Sequence, residues 1–517
     1  MRLLIITLLL LNNIASSAQQ KTDGTIIKTE AGLISGSKNI GGDIRIFKGI
    51  PFAAPPVGEF RWKAPQPLVP WGDVKNCQSF GPSPTQNKPV PFSMWSQEFL
   101  IPTDGVISED CLYLNVWTNA KSAKAKLPVV VWIYGGGFTS GGSSAPIYDG
   151  EASAKKGVVF VSINYRVGIF GFFAHPQLTK ESGNNASGNY GLMDQIAALK
   201  WVQKNITAFG GDANNVTIAG QSAGSMSVNC LVASPLAKNL FNKAIAESGA
   251  SVMGGSLSRT KSLNEGEQAG EKLMQSIKLN TLKELRNADA ALLMKENSGL
   301  RMPIIDGYVL PNSLESIFAA GKENKVTLLT GWNQDEGLIF EPIKNAKDYI
   351  ADLNKKYGTD AALVLKYYPA TTDAEAAIAQ LNLSRDLIFG LQNYTWANIQ
   401  SRHSLKVYVY RFTHKLPATG DAVKYGAFHT GEVPYFLNNL KFVDRPWQKN
   451  DHALAGNISD YWINFIRYGN PNGSNVANWK AYSSVEKSIK ILGEEQKDIS
   501  IPDREALDLL FKIFNKK

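Results

Sequence analysis

The sequence predicts an α/β fold, a large and mainly parallel central sheet with helices on both faces, and three observations predict it. Five short runs, at 129–133, 158–161, 216–219, 326–329 and 407–410, are apolar at consecutive rather than alternate positions. Strands of that kind are covered on both faces, as in a parallel sheet. Helical patterns lie between them, and strand-helix alternation gathers the working loops at the carboxyl ends of the strands. Finally, 517 residues with 44% apolar composition can bury a core of that size.

Taken from the amino terminus, Met1-Arg2 precedes an apolar run over 3–11, and the small residues Ser16 and Ala18 close the segment. That pattern predicts a cleavable export signal over 1–18 and a secreted or periplasmic protein. A membrane anchor would need about 20 apolar residues, roughly twice this run, and no later stretch is long enough to span a bilayer. Residues 19–517 show no internal repeat, low-complexity tract or long linker, so they read as one elaborated domain. The net charge of +9 falls to +8 once Arg2 leaves, and its basic residues are scattered, which favours solubility and argues against a nucleic-acid partner. No cofactor and no metal-ligand set is read from the sequence, and it leaves the oligomeric state open.

Three cysteines in an exported chain predict one disulfide and one leftover thiol. Cys77 and Cys111 bracket a loop rich in Pro and Ser, whereas Cys230 sits in the apolar stretch 226–232. Cys77–Cys111 is therefore the expected bond, which would stabilise the fold by ~3–4 kcal/mol on the chain-entropy account, and Cys230 the buried thiol. Further on, 190–205 places Leu192, Ile196, Leu199 and Val202 on one face of a helix, with Asp194 expected in its first turn. The pattern at 257–297 turns helical and polar, as a cap over the sheet would.

Gly220-Gln221-Ser222-Ala223-Gly224 fits G-x-S-x-G. It follows the run at 216–219 directly and leads into a stretch that can be helical, so Ser222 is expected on a sharp strand-to-helix turn as a nucleophile. Only glycine at 220 and 224 lets the neighbouring backbones come close. Gly135-Gly136-Gly137 comes straight after the run at 129–133. The N–H groups of Gly136, Gly137 and Ala223 are the candidate donors to an oxyanion, each worth roughly 3–4 kcal/mol to such chemistry.

With these motifs in place the chain resembles the type-B carboxylesterases, the family that includes cholinesterases, fungal lipases of this fold and bacterial esterases acting on aryl and benzyl esters. The likeness runs from Phe47-Lys48-Gly49-Ile50-Pro51 through Glu109-Asp110-Cys111-Leu112-Tyr113-Leu114-Asn115-Val116, Asn164-Tyr165-Arg166 and Gly188-Asn189-Tyr190-Gly191-Leu192. It continues to Asp335-Glu336-Gly337, Phe428-His429-Thr430-Gly431-Glu432 and Tyr461-Trp462-Ile463-Asn464-Phe465. The resemblance implies an α/β-hydrolase fold and hydrolysis of a small-molecule ester through an acyl-enzyme. It also implies the Cys77–Cys111 pairing and buried ion pairs Arg61–Glu109 and Arg166–Asp194.

In that fold the chain order is serine, acid, histidine, which removes His175. His414 ends a predicted strand, and His403 and His452 sit in segments that look like helix surface. His429, in a loop with Gly426 and Gly431, is left as the general base, a role suited to a pKa near neutrality. Asp335 and Glu336 both follow the strand at 326–330, and adjacent side chains point in different directions. The resemblance selects Glu336 to orient the imidazole and leaves Asp335 to support the loop.

The chain also departs from the family. Gln221 stands where glutamate is frequent, Ser225 replaces a glycine and is expected to hydrogen-bond near the base, and Thr139 after Phe138 leaves the acyl pocket without an obvious constriction. Met94-Trp95 resembles the stretch that supplies the choline-binding indole of cholinesterases, so Trp95 is either a cation site or an apolar wall. Trp95, Phe138, Gln221 and Ser225 are the candidate substrate-pocket residues. Two other readings remain at this level: a lipase or acylated-glycan esterase on the same machinery, and a non-catalytic adhesion module. A sequon at Asn205-Ile206-Thr207 matters only in a host that glycosylates.

Overall fold

In the computed structural model, residues 24–295, 301–339 and 341–515 are described; the expected leader and the last residues of the cap pattern lie outside them. Each doubly apolar run becomes a strand that is buried along most of its length. In chain order the strands of the main sheet are β1 Ser37–Lys38, β2 Arg45–Pro51, β3 Tyr113–Thr118, β4 Leu127–Ile133, β5 Val159–Ile163 and β6 Gly211–Gln221. They are followed by β7 Lys243–Glu247, β8 Thr327–Asn333, β9 Val407–Phe412, β10 Ser488–Leu492 and β11 Asp498–Ser500.

Among the described residues these form an eleven-stranded sheet, ordered β11-β10-β9-β8-β7-β6-β4-β5-β3-β2-β1. From β10 to β5 the neighbours are parallel, and antiparallel pairs finish both edges. The parallel middle is where the doubly apolar sequences lie. β7 escaped the sequence reading because Lys-Ala-Ile-Ala-Glu carries a charge at each end, yet all five of its residues are buried. Lys243 reaches Asn215 and Asn242, and the Glu247 carboxylate accepts the Trp462 indole N–H at 2.7 Å.

Helix α1, Tyr190–Asn205, has the expected bounds and buries Leu192, Ile196, Leu199 and Val202. Asp194 is its fifth residue and so stands beyond the first turn. It is fixed instead by Arg166, whose Nε and Nη2 reach the carboxylate at 2.8 and 2.7 Å while both side chains are buried. The other implied pair also forms, Arg61 Nε donating to Glu109 at 2.7 Å. Arg61 Nη1 continues to the carbonyls of Leu285 and Ala288, which ties the cap to the body.

The cap is helical as expected. Its longest helix, α3 Leu263–Ser276, opens on a capping box in which Ser262 and Glu265 satisfy each other's backbone N–H. Two shorter helices follow, Leu282–Asn287 and Ala290–Lys295.

The expected disulfide is not formed: Cys77, Cys111 and Cys230 are all buried free thiols. Cys77 sits beneath Gly49 with Lys75 nearby, whereas Cys111 lies within the field of the Arg166–Asp194 pair. The two sulphurs thus occupy different environments, and proximity of the flanking loop in sequence did not reveal that. Burial pushes the Cys77 thiol up to about 11 and raises Cys111 and Cys230 further, so each behaves as a small apolar side chain. The sequon is equally inward. Asn205 is buried, with its amide donating to the Trp201 carbonyl and accepting from Glu30 N–H.

Candidate active site

Ser222 sits between the end of β6 at Gln221 and the start of helix α2, Ala223–Ala233. Its backbone has φ 57° and ψ −122°, a conformation that non-glycine residues rarely adopt, and its N–H is held by the Glu247 carbonyl at 2.9 Å. The turn is possible because two neighbours lack a Cβ. A Cβ on Gly224 would lie 2.0 Å from the Ile133 carbonyl oxygen, and one on Gly220 would lie 2.5 Å from the Gly224 carbonyl carbon. The strain therefore points the Ser222 hydroxyl out of the sheet at the amino end of α2.

Two other loops reach that hydroxyl. His429 Nε2 lies 2.8 Å from Ser222 Oγ, and His429 Nδ1 lies 2.8 Å from Glu336 Oε2. The other Glu336 oxygen accepts the Asn333 N–H at 2.8 Å, which orients the carboxylate at the end of β8. Asp335 faces away from the imidazole: its carboxylate accepts the Ala427 N–H at 2.9 Å, and its own N–H goes to the Ala427 carbonyl. Adjacent acids are therefore divided between the ring and the loop that carries it. A π-helical turn at Asp386–Gly390 swings Phe389 onto the ring, stacked at 4.4 Å between centroids, and Trp95 meets it edge-on at 6.3 Å.

Enclosure has an electrostatic consequence. Burial pushes the His429 imidazole down to about 4, against the nearby Glu432 charge and with help from Arg259. It pushes the Glu336 carboxyl up to about 8, opposed by the Asn333 N–H. Burial moves this ring below the near-neutral value suited to a general base, and two groups sharing one hydrogen bond titrate as a unit. Deeper still, Glu432 accepts from Asn333 Nδ2, and burial followed by the Glu336 charge pushes it up to about 7.

Gly136 and Gly137, just past β4, have φ of 110° and 62°. Among the described residues their N–H groups and that of Ala223 donate to no protein acceptor. They face a cavity of about 760 Å³ whose wall also includes Ser222, His429, Trp95, Phe138 and Gln221. Gln221 Nε2 lies 3.3 and 3.4 Å from the two ring nitrogens of His429, and its carbonyl accepts from Thr430 Oγ1. Thr430 in turn accepts the Trp95 indole N–H at 3.2 Å. Ser225 is elsewhere: buried one turn into α2, it donates to the Gly249 carbonyl at 2.5 Å rather than approaching the base.

Several participants had escaped the sequence reading. Phe389 and Arg259 stand in no motif: Phe389 reaches the site from the π-helical turn and Arg259 from the loop after Leu257. Glu432 lay inside the string around His429 and could have been found there. Three of the four remaining histidines have other partners, and His452 is exposed on its helix. His175 caps a helix by accepting from Gln177 N–H, His403 meets Glu323 at 3.1 Å and His414 meets Asp451 at 2.7 Å.

Comparison with known proteins adds to this geometry. The family model described as Carboxylesterase family matches residues 23–507. The chain is 38% identical to fumonisin B1 esterase of Sphingopyxis macrogoltabida, over 90% of this chain and 86% of that protein. It is 35% identical to para-nitrobenzyl esterase of Bacillus subtilis (strain 168), over 94% and 98% respectively. A solved structure of PNB esterase superposes with a TM-score of 0.79 at 34% identity, covering 94% of this chain and all of that one. One of a thermophilic PNB esterase gives 0.81, also at 34% identity and over the same shares.

Proposed function

The chain belongs to the carboxylesterase family and is a type-B carboxylic-ester hydrolase, and on that premise we propose that it hydrolyses its ester through an acyl-enzyme on Ser222. The observation that carries the reading is the hydrogen-bonded series Glu336, His429, Ser222, with 2.8 Å at each link. As Ser222 Oγ attacks the ester carbonyl, His429 Nε2 takes its proton. Glu336 holds Nδ1–H in the matching tautomer and stabilises the imidazolium that forms. The negative carbonyl oxygen of the tetrahedral species is received by the N–H groups of Gly136, Gly137 and Ala223, which need no reorganisation to meet it. Collapse expels the alcohol, and the imidazolium supplies its proton. Water then repeats the sequence on the acyl-enzyme, giving up a proton to His429 and releasing the carboxylic acid while Ser222 recovers its own.

Replacing Ser222 by alanine is expected to lower kcat on 4-nitrophenyl acetate by a factor on the order of 10⁶ in a folded protein. A fluorophosphonate should phosphonylate Ser222 Oγ with loss of fluoride, adding the reagent mass less HF, and leave the variant unlabelled. Comparable turnover by Ser222→Ala would exclude the mechanism. Export is also proposed, on the leader pattern over 1–18; a secreted product whose amino terminus is Gln19 supports it, and retention of Met1 opposes it.

A further inference from the structure

We propose that the natural ester carries a carboxylate beyond its reacting group and that Arg259 binds it; this deepens the acyl-transfer reading and rests on it. The starting observation is an imbalance of charge. Among the described residues the cavity wall includes Lys88, Arg259 and Arg301 and no aspartate or glutamate, and beside the serine stands the uncharged amide of Gln221. Glu336 and Glu432 lie behind His429 and do not line the space.

Arg259 is the informative member of the three. Among the described residues every buried arginine, namely Arg61, Arg166, Arg286, Arg385 and Arg411, meets a carboxylate within 3 Å. Arg259, partly buried in the wall, meets none among the described residues. Its Nη2 donates to the Ile388 carbonyl at 3.2 Å and its guanidinium lies 5.9 Å from the Phe389 ring centroid. Guanidinium has five N–H donors in a fork that fits a carboxylate, so most of this one's donor capacity stays unspent. Holding a charge partly out of water with no counter-ion among the described residues is unfavourable, and burial lowers its basicity to about 10. An anion entering the cavity would supply the missing partner.

The placement suits a substrate contact. Phe389 carries the His429 ring on one face, and Arg259 lies against the same phenyl group. Its positive charge reaches the imidazole, where it disfavours protonation. A carboxylate seated on Arg259 offsets that push and makes His429 a better base when the correct ester is bound. Lys88 and Arg301 are exposed, and with the chain's overall +9 they draw anions toward the opening.

The test compares esters matched in shape and different in charge. On the acyl side the pair is mono-4-nitrophenyl glutarate and 4-nitrophenyl pentanoate; on the alcohol side it is 4-acetoxybenzoate and 4-acetoxybenzamide. In at least one pair kcat/KM is expected to favour the anion on the order of tenfold to a hundredfold, the worth of one charge-assisted contact. Arg259→Gln should bring that ratio close to one, and Arg259→Lys should keep part of it. Glutarate, but not its diamide, should compete with the neutral ester in the unaltered enzyme. Neutral esters favoured in both pairs, a ratio untouched by Arg259→Gln, or no competition by glutarate would each overturn the proposal while leaving the esterase reading intact. Failure to turn over any of the four esters would instead overturn acyl transfer at this site, and this inference with it.

Discussion

His429 is enclosed by Phe389 on one face, Trp95 at an edge and the Gln221 amide beside both nitrogens, and that enclosure sets its chemistry. With water excluded, the pair His429–Glu336 resists separated charge, so one group is pushed down to about 4 and the other up to about 8. Only after the pair has lost its extra proton does Nε2 have a free lone pair to accept from Ser222. The sign follows: kcat/KM on a neutral ester should rise with pH as that proton leaves between about 4 and about 8, and level off above. A rate profile at constant ionic strength checks it, and a rate that falls as pH rises through this interval would contradict the assignment of the base. Placing a carboxylate at 221, as in Gln221→Glu, favours the imidazolium and should move the acid side of the profile upward.

At the scale of elements, the site is four loops held at the carboxyl ends of parallel strands, the histidine loop being the one that follows β9. β4 ends in the glycines, β6 ends in the serine turn and β8 ends in the paired acids, while the Asp335 carboxylate pins the histidine loop at Ala427. The serine turn has the least tolerance. Gly224→Ala would drive a methyl group to 2.0 Å from the Ile133 carbonyl, backbone against backbone, so β4 and α2 must part. Destabilisation of about 2–3 kcal/mol is expected, together with loss of most activity because the same shift opens the space between Ser222 and the glycine N–H groups. A denaturant midpoint measured beside kcat tests both, and a fully stable, fully active variant would count against this account of the turn.

At the scale of the molecule, buried ion pairs join parts that are distant in the chain. Arg166 and Asp194 link the loop after β5 to helix α1, and Arg61 joins Glu109 to two carbonyls of the cap. Asp194→Asn leaves the Arg166 guanidinium buried without its counter-ion, which should cost about 3–5 kcal/mol and lower the melting temperature even though the site is untouched. Much of this architecture was legible beforehand. Parallel strands announce themselves because burial on both faces demands consecutive apolar residues, and the serine turn does so because strain there admits only glycine at 220 and 224. What had to fold first was everything set by distance through space. Glu336 rather than Asp335 meets the imidazole because β8 ends in that rotation; Ser225 turns to Gly249; the Cys77 and Cys111 thiols settle in separate environments; and Phe389 and Arg259 arrive from a π-helical turn and a loop with no motif to mark them. Local backbone requirements are written in neighbouring residues, so the sequence alone determined the five doubly apolar strands and the serine turn. The field around the histidine and the cationic character of the described cavity wall are sums over side chains far apart in the chain, and only the tertiary structure decided them.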